Sequence, residues 1–394
     1  MRLLALFLLL GCAASAVHAQ IERLPRPDSV RATQYGAAVA FDGDRVVVGA
    51  SGEASCDVNA GAAYVYERAA DDTFALAARL VPKDCQAEKF FGRSVALSGD
   101  RVLVTAAAQF VNPLRPNTVY VFERQDDGTW EQTARLSGLV EPDEGAYAAC
   151  VAIGTDAQGE VWALVTAEAD PAGGAEGAAY FYRSVGAGWK LDQRVALPAD
   201  RRSVGADCAF DGRTAVLSAP SGDRRKGGAL FVFGRAEADA DDTWVLRHRF
   251  DGLRGPRLPV ALDGRRLLVG EPGADRSDGR ASLYLEALDG SWHRAATLQP
   301  ERGYDRGGFG TDVALSGQRA LVVGYDEQLG KDTNVDRVVY SFALEPETGD
   351  WAQRQVFDLG RYAFGAAVAL VGMEALVGEA ASEIIGAAYL VRLM

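Results

Sequence analysis

One short phrase recurs seven times along the chain and constrains the fold more than any other feature. The phrase is an apolar triplet, which in four of the seven units follows an aromatic–glycine pair, as in "FGRSVAL" at residues 91–97. The triplets begin at Val39, Val95, Val151, Cys208, Val260, Val313 and Val368. Their spacings are 56, 56, 57, 52, 53 and 55 residues. A period of this size is typical of a propeller or a solenoid, in which each repeat is one small structural unit.

The residues of each unit predict four short β-strands. The first strand contains the triplet, and a tight turn such as Asp42-Gly43 leads into an almost wholly apolar second strand such as "RVVVGA". The third strand alternates small residues with aromatic residues, and the fourth usually opens with Trp or Phe. Period-two alternation with aromatic enrichment favours strands over helices. Continuous apolar runs are typical of strands that are buried on both faces.

The two ends of the chain contain the parts of one divided unit. The seventh unit ends after its third strand, whereas residues 21–33 form an extra piece before the first unit. In that piece Leu24 lies 11 residues before Tyr35, as Leu80 lies 11 residues before Phe91. The extra piece is therefore predicted to be the missing fourth strand, because a circular propeller needs such a split. The predicted fold class is all-β, a single seven-bladed β-propeller of four-stranded blades closed by the N-terminal strand.

The first residues predict the destination of the chain. One arginine precedes an apolar run and small residues that end at Ala19, which is the layout of a secretory signal peptide over residues 1–19. Cleavage there would leave the propeller domain, residues 20–394. As an alternative, the segment ending at Cys12 is similar to a lipobox, and Cys12 would then bear a lipid anchor. Either route predicts a periplasmic, cell-surface or extracellular protein, and no other segment is long and apolar enough to be a transmembrane segment.

The composition argues against several classes of function. The net charge of −13 makes nucleic acid and anionic membranes poor partners. Outside the leader only His248 and His293 are present, and no Cys-x-x-Cys occurs, so a zinc site or a His-dependent active centre is poorly supplied. We therefore expect no cofactor. We also expect a monomer.

Four cysteines remain after the leader and permit two disulfides in an exported chain. Cys56 lies between strands two and three of the first unit, and Cys85 lies in the connection to the second unit. Both connections should emerge on the same side of the ring, which favours a Cys56–Cys85 bridge. Cys150 precedes the third triplet and Cys208 begins the fourth, so the two have opposite strand parity. Their side chains can therefore either face each other between two blades or point away from each other. Export to an oxidising compartment favours the first alternative, a Cys150–Cys208 bridge.

The repeat resembles the FG-GAP repeat. The resemblance rests on "FGRSVALSGDRVLVTA" and "TVYVFER" and on their counterparts over essentially all of the mature chain. FG-GAP repeats occur in bacterial secreted proteins and in the seven-bladed heads of integrin α subunits, so the resemblance implies a propeller with a binding role. The fifth unit departs from the pattern, because "GPRLPVAL" has no aromatic–glycine pair.

Calcium binding by integrin-type repeats is not expected to transfer to this chain. The turns between strands one and two read "FDGDR" or "LSGDR", with too few carboxylates for a cation that takes about six to eight oxygen ligands. We therefore predict no metal site. The exception that stays open is a longer loop in the sixth unit, which could gather Asp326, Asp332, Asn334 and Asp336 around one cation.

Two carboxylates are the best candidates for catalysis. Asp207 and Asp312 occupy the position just before the triplet, where most other units have small residues. Such a pair near a propeller axis could act as acid and base. We favour the alternative, in which each carboxylate caps an exposed backbone group of its inner strand. No G-x-S-x-G motif is present. The chain is therefore predicted not to be an enzyme, and no catalytic residue is assigned.

The loops of one face are predicted to recognise a ligand. Connections between strands two and three and between blades emerge on one side and are long and varied, whereas the opposite hairpins are short. The predicted ligand-binding residues on that side are Phe110, Leu114, Arg202, Arg224, Arg225 and Lys226. They favour a non-enzymatic, adhesion-type propeller that recognises a protein or a polysaccharide. Two alternatives stay open: a glycan-active hydrolase or lyase with an acidic site near the axis, and a structural subunit of a surface assembly.

Overall fold

The structure is a computed structural model. It describes residues 20–26, 34–107, 117–137, 147–167, 177–197, 204–221, 227–235, 243–275, 278–301, 308–326, 336–358, 364–380 and 386–394. These residues form 28 β-strands, and they include no α-helix. Within the same ranges no segment forms a helix that could cross a membrane.

The strands form seven antiparallel sheets of four strands each, which are the blades of a propeller. Blade 1 contains β2 (Tyr35–Phe41), β3 (Arg45–Ala50), β4 (Ala62–Arg68) and β5 (Phe74–Leu80). Blade 2 contains β6 (Val95–Ser98), β7 (Arg101–Ala106), β8 (Thr118–Arg124) and β9 (Trp130–Leu136). Blade 3 contains β10 (Tyr147–Thr155), β11 (Val161–Ala167), β12 (Ala178–Val185) and β13 (Gly188–Ala196).

The remaining four blades follow the same order. Blade 4 contains β14 (Cys208–Phe210), β15 (Thr214–Ala219), β16 (Gly228–Arg235) and β17 (Trp244–Leu253). Blade 5 contains β18 (Val260–Asp263), β19 (Arg266–Glu271), β20 (Arg280–Glu286) and β21 (Trp292–Leu298). Blade 6 contains β22 (Asp312–Ser316), β23 (Arg319–Asp326), β24 (Asp336–Leu344) and β25 (Trp351–Phe357). Blade 7 contains β26 (Phe364–Val371), β27 (Glu374–Glu379), β28 (Ala387–Arg392) and β1 (Gln20–Arg23).

The N-terminal strand closes the ring. β1 pairs antiparallel with β28, so that Gln20 lies opposite Arg392 and Arg23 lies opposite Tyr389. The first strands of the blades also contact one another in a complete circle, in the order β2, β6, β10, β14, β18, β22, β26 and back to β2. The predicted all-β, seven-bladed propeller is therefore confirmed, with the predicted exchange of one strand between the chain ends.

The hydrophobic core is divided into seven clusters, and each cluster lies between two neighbouring blades. The cluster between blades 1 and 2, for example, joins Val47 and Val65 of blade 1 to Phe91 and Val104 of blade 2. The cluster between blades 7 and 1 joins the two ends of the ring in the same way. Because both faces of each blade are covered, second and third strands are buried along most of their length. This explains their continuous apolar sequences.

The aromatic–glycine pair acts at these blade interfaces. Phe91 is fully buried and packs edge-to-face on Tyr120 and Phe122 of its own blade. Gly92 has φ +95°, and a Cβ built there would lie 2.3 Å from the carbonyl oxygen of Ala62 in blade 1. Only glycine permits this approach between the backbones. The recurring phrase is thus a structural unit, as its sequence predicts.

Two disulfides are present. Cys56 and Cys85 are joined with their Cα atoms 6.3 Å apart, and this bridge ties the loop between β3 and β4 to the connection from blade 1 to blade 2. Cys150 and Cys208 are joined with Cα atoms 6.0 Å apart, across the interface of blades 3 and 4. The first is the bridge that the blade assignment favours, and the second is the alternative that export favours for Cys150 and Cys208.

The contact of Gly92 yields a prediction. Gly92→Ala should lower the free energy of unfolding by at least about 3 kcal/mol, because the methyl group meets backbone atoms that cannot move away. Gly99→Ala is the matched control, since Gly99 also has positive φ but no atom lies within 4 Å of a Cβ built there. This control should cost only about 1–2 kcal/mol, the penalty for the backbone conformation. Urea unfolding of both variants measures the difference, and equal losses would contradict the close-approach explanation.

Candidate functional site

The two faces of the ring differ in their connections. On one face, the loop between β3 and β4 is held to the connection after β5 by the Cys56–Cys85 bridge and by hydrogen bonds from Glu88 N to Val58 O and from Phe90 N to Asn59 O, both 2.9 Å. We call this side, formed by the connections between second and third strands and between blades, the loop face. The opposite side consists of the turns between strands one and two and between strands three and four, and we call it the hairpin face.

The predicted ligand-binding residues lie outside the described residues. This holds for Phe110, Leu114, Arg202, Arg224, Arg225 and Lys226. The predicted cation loop is not described either. Asp332 and Asn334 lie outside the described residues, and the side chains of Asp326 and Asp336 are not described. These assignments therefore stay predictions.

The described part of the loop face contains a rigid loop with an apolar tip. Val58 is 59% exposed, although its carbonyl accepts a hydrogen bond from the backbone of Glu88. The disulfide at Cys56 holds the same loop. Sequence reasoning did not select Val58, but it is the one aliphatic residue larger than alanine in the variable stretch "SGEASCDVNA", which was the available signal.

The hairpin face uses its carboxylates for backbone hydrogen bonds. Asp42 Oδ1 accepts from the N–H groups of Asp44 and Arg45, and its Oδ2 accepts from the N–H of Gly99 in the next blade at 3.1 Å. Asp263 accepts from the N–H of Gly317 in the same arrangement. These turns therefore do not fit the calcium site of integrin-type repeats. Across all described ranges, no three His, Cys, Asp or Glu side chains are grouped as metal ligands.

Asp207 joins blades 4 and 5 near the ring axis. Its Oδ1 accepts a hydrogen bond from the N–H of Cys208 at 3.0 Å, and its Oδ2 accepts one from the N–H of Val260 at 2.9 Å. The first bond is the cap that the sequence predicts. The second bond reaches the first strand of the next blade and was not predicted.

Asp312 repeats this arrangement between blades 6 and 7. Its Oδ1 accepts from the N–H of Val313 at 3.0 Å, and its Oδ2 accepts from the N–H of Val368 at 2.9 Å. Each carboxylate therefore bridges two neighbouring first strands. Hydrogen bonds from backbone N–H groups to a carboxylate are charge-assisted and hold both partners firmly.

The Cys150–Cys208 disulfide occupies an equivalent position. Cys150 precedes the triplet of blade 3 and is bonded to the first triplet residue of blade 4, just as Asp207 precedes the triplet of blade 4 and binds the first triplet residue of blade 5. Cys150 Sγ also lies 3.9 Å from Asp207 Oδ1. Disulfide and carboxylate are thus two chemical forms of one inter-blade bridge, and blades 3, 4 and 5 are joined in series.

Burial governs the titration of the two carboxyls. Burial raises the pKa of Asp207 to about 6, although its N–H donors and the charge of Arg257 lower it. Burial and the negative charge of Asp207 together raise the pKa of Asp312 to about 7. The exposed Arg257 is the cation that acts on both carboxyls. Sequence reasoning missed Arg257, although its segment "GPRLPV" is where the fifth unit departs from the repeat.

A second kind of buried carboxylate has a structural role. Glu271 is fully buried and accepts hydrogen bonds from Arg280 at 2.9 and 3.0 Å and from Ser282 at 2.8 Å. In blade 1, Glu53 likewise accepts a hydrogen bond from Tyr64 at 2.6 Å and pairs with Arg79. The charges of Glu271 and Glu53 are neutralised by Arg280 and Arg79 of the same blade, and the two glutamates hold strands together. The axial carboxyls of Asp207 and Asp312 are therefore the candidate site.

The raised pKa of Asp312 predicts an unusual pH dependence. Between its ordinary value of 3.8 and about 7, the unfolded chain releases this proton while the folded protein keeps it, so stability falls as pH rises. An asparagine side chain cannot titrate, so the Asp312→Asn variant does not lose this stability as pH rises. The difference in free energy of unfolding, variant minus wild type, should therefore increase by about 2–4 kcal/mol from pH 4 to pH 8. The substitution also alters the hydrogen bonds of residue 312, but this cost does not depend on pH and so does not affect the change between pH 4 and pH 8.

The control is Asp289→Asn, which changes an exposed turn carboxyl whose pKa is lowered by hydrogen bonds from Ser291. Its stability difference from wild type should stay constant between pH 5 and pH 8, because that carboxyl is ionised throughout. Thermal unfolding in a buffer series measures both variants. Parallel curves for wild type and Asp312→Asn would show that the buried carboxyl does not titrate as described.

Comparison with solved structures agrees with the architecture. The WD40 repeats of RRP9 superpose with a TM-score of 0.58 at 10% identity, over 96% of this chain and 100% of that chain. A periplasmic gluconolactonase from Pseudomonas aeruginosa superposes with a TM-score of 0.50 at 17% identity, over 82% of this chain and 86% of that chain. At these identities the likeness concerns the fold alone.

Comparison of sequences identifies the repeat. No curated protein matches the chain significantly. Residues 19–66 and 74–122 match the family model described as FG-GAP repeat. These segments contain the aromatic–glycine pairs of blades 1 and 2, and the same phrase recurs around the closed ring. The chain therefore contains FG-GAP repeats in its first two blades, and its described residues fold as a seven-bladed β-propeller.

Proposed function

We propose that this protein is an exported, non-enzymatic binding propeller that recognises a protein or a polysaccharide through its loop face. The observation that supports the proposal most directly is the blade 1 loop, where Val58 is 59% exposed on a segment held by the Cys56–Cys85 bridge. An apolar side chain on a preorganised loop loses little conformational freedom on binding. The two disulfides are also consistent with an oxidising compartment outside the cytoplasm.

The asymmetry of the ring supports the same proposal. The hairpin face consists of short turns whose polar groups bind neighbouring turns, as in the hydrogen bond of Gly372 N to Ser316 Oγ at 3.0 Å. The connection between β15 and β16 joins a second strand to a third, and its sequence contains a basic group, Arg224, Arg225 and Lys226, in a chain of net charge −13. Such a group favours an acidic protein surface or an anionic polysaccharide as the ligand.

The test of this proposal compares the two faces. A glycan array and a panel of purified cell-envelope proteins first identify a ligand of the mature protein, residues 20–394. The affinity for that ligand is then measured for a loop-face variant, Val58→Ser with Arg224→Glu and Arg225→Glu. We expect at least a tenfold loss of affinity, because apolar and charge contacts are removed together.

A matched control alters the hairpin face. Leu288 is 95% exposed in a turn of blade 5, and Lys190 is exposed near the corresponding turn of blade 3. Leu288→Ser with Lys190→Glu should leave the affinity within twofold of wild type. Loss of binding in this control, with binding kept in the loop-face variant, would reverse the assignment of faces.

A hydrolase with its acid at the axial carboxyls is the second candidate. It is supported by the raised pKa of Asp312, about 7, which suits a general acid near neutral pH, and by the shared fold of a gluconolactonase. Against it, both oxygens of each carboxyl already accept backbone hydrogen bonds. Binding is therefore the better-supported function.

Hydrolysis assays separate the two candidates. Wild type, Asp207→Asn and Asp312→Asn are incubated with gluconolactone and with a panel of polysaccharides from pH 5 to pH 8. The binding proposal expects wild-type rates equal to buffer. A wild-type acceleration that falls at least a hundredfold in both variants would instead establish the axial pair as catalytic.

A further inference from the structure

The first strand of every blade directs alternate backbone N–H groups toward the axis, among them the N–H of the first triplet residue. In blade 2, Thr105 N donates to Ser94 O at 3.0 Å, so the next pair, Val95 with Val104, is a non-hydrogen-bonded pair of the ladder. The N–H of Val95 therefore points away from β7. Since β6 is an edge strand of its sheet and the first strands surround the axis, this N–H points into the ring.

The same register holds around the ring. Ser218 N donates to Asp207 O and Gly270 N donates to Pro259 O, both at 2.9 Å, as the equivalent bonds in blades 4 and 5. We call the N–H groups of the first triplet residues the axial N–H groups. They belong to Val39, Val95, Val151, Cys208, Val260, Val313 and Val368.

Four of the seven axial N–H groups already bind a carboxylate. Asp207 accepts from two of them and Asp312 from two more, at 2.9 and 3.0 Å in both cases. In each case one carboxylate spans two neighbouring blades. The ring thus shows, in two independent places, that a pair of adjacent axial N–H groups has the spacing to hold one carboxylate.

The other three axial N–H groups, those of Val39, Val95 and Val151, lie on consecutive blades and lack such a cap. The position before the triplet, which holds Asp207 in blade 4 and Asp312 in blade 6, is occupied by Ala38 in blade 1 and by Ser94 in blade 2. Their ladder partners, Val48, Val104 and Val165, form non-hydrogen-bonded pairs with them, and no other described residue accepts a hydrogen bond from these three groups. Backbone N–H groups inside a protein are nearly always paired, so three adjacent unfilled donors point to a ligand or water.

The surroundings admit an anion. Ala38 and Ser94 are partly exposed, so solvent reaches this part of the axis. Arg93 is exposed one residue before Ser94 and places a positive charge beside this part of the ring. The absence of a side chain beyond Cβ at Ala38 leaves open the space that an aspartate carboxylate fills in blades 4 and 6.

We propose that the axial N–H groups of Val39, Val95 and Val151 form a binding site for the carboxylate group of a small molecule. Its two oxygens would accept from the N–H groups of two neighbouring blades, as the oxygens of Asp207 and Asp312 do. This site is separate from the loop face, and it does not depend on the function proposed for that face.

Acetate, the smallest stable probe of this chemistry, tests the proposal by amide NMR. In mature protein labelled with ¹⁵N-valine, increasing acetate at constant ionic strength should shift the amide signals of Val39, Val95 and Val151. The signals of Val260, Val313 and Val368 are internal controls, because their N–H groups are occupied by Asp207 and Asp312. Acetamide, which lacks the charge, and sodium chloride should produce no such selective shift.

Variants then place the site. Ala38→Asp should weaken acetate binding at least tenfold, since the new carboxylate would occupy the N–H groups of Val39 and Val95. Ser98→Asp adds the same charge at the far end of β6 and should leave binding unchanged. If Ala38→Asp does not fold, Ser94→Asp serves the same purpose with the N–H groups of Val95 and Val151. Absence of selective shifts in wild type, or shifts that survive in the folded Asp variant, would overturn the proposal.

Discussion

The close approach of one blade's backbone to the next is the contact on which this structure depends. Gly36, Gly92 and Gly310 all have positive φ, and a Cβ at any of them would lie within 2.6 Å of a carbonyl oxygen in the preceding blade. A glycine on the other side accepts the contact, since a Cβ at Gly49 would lie 2.0 Å from the oxygen of Gly92. At the interfaces of blades 7 and 1, 1 and 2, and 5 and 6, pairs of glycines therefore set the distance between blades, and the aromatic residue beside each pair fills the space that remains.

This contact explains why the core is distributed between the blades. A single blade covers neither of its faces, so each sheet is stable only against two neighbours. The seven clusters form an unbroken circle, and the cluster between blades 7 and 1 contains Leu24 and Tyr35 together with Leu376 and Leu390. A linear arrangement of the same units would leave two apolar sheet faces in water. Closure of the ring removes both.

Periodicity made most of the fold predictable from sequence. Comparing one unit with the next was enough to predict the strand order, the exchanged strand and the face from which Cys56 and Cys85 emerge. The sites were less accessible, because they combine residues of different units whose separation along the chain is set by the ring. The second hydrogen bond of Asp207, to Val260, depends on the distance between two blades, and no local pattern encodes it.

The three inter-blade bridges show which signal would have helped. In each case the residue before one triplet contacts the first residue of the next triplet, as Cys150 contacts Cys208 and Asp312 contacts Val368. Once the order of the blades is known, a Cys or Asp before one triplet can be compared with the first residue of the next triplet. This comparison indicates where each of the three bridges forms. The exposure of Val58 and the influence of Arg257 on the axial carboxyls required the three-dimensional structure, since both residues lie in segments without a repeat pattern.

The exchanged strand has a consequence for how the molecule forms during synthesis. Gln20 is among the first residues of the propeller to leave the ribosome, yet its partner Arg392 is made almost at the end. The edge strand of the last blade must therefore wait, unpaired, while nearly the whole domain is translated. The cluster between blades 7 and 1 cannot form before that moment, so an incomplete chain keeps an open edge that can pair with other chains. Pairing of the two chain ends is thus the final step of assembly, and it requires the complete chain.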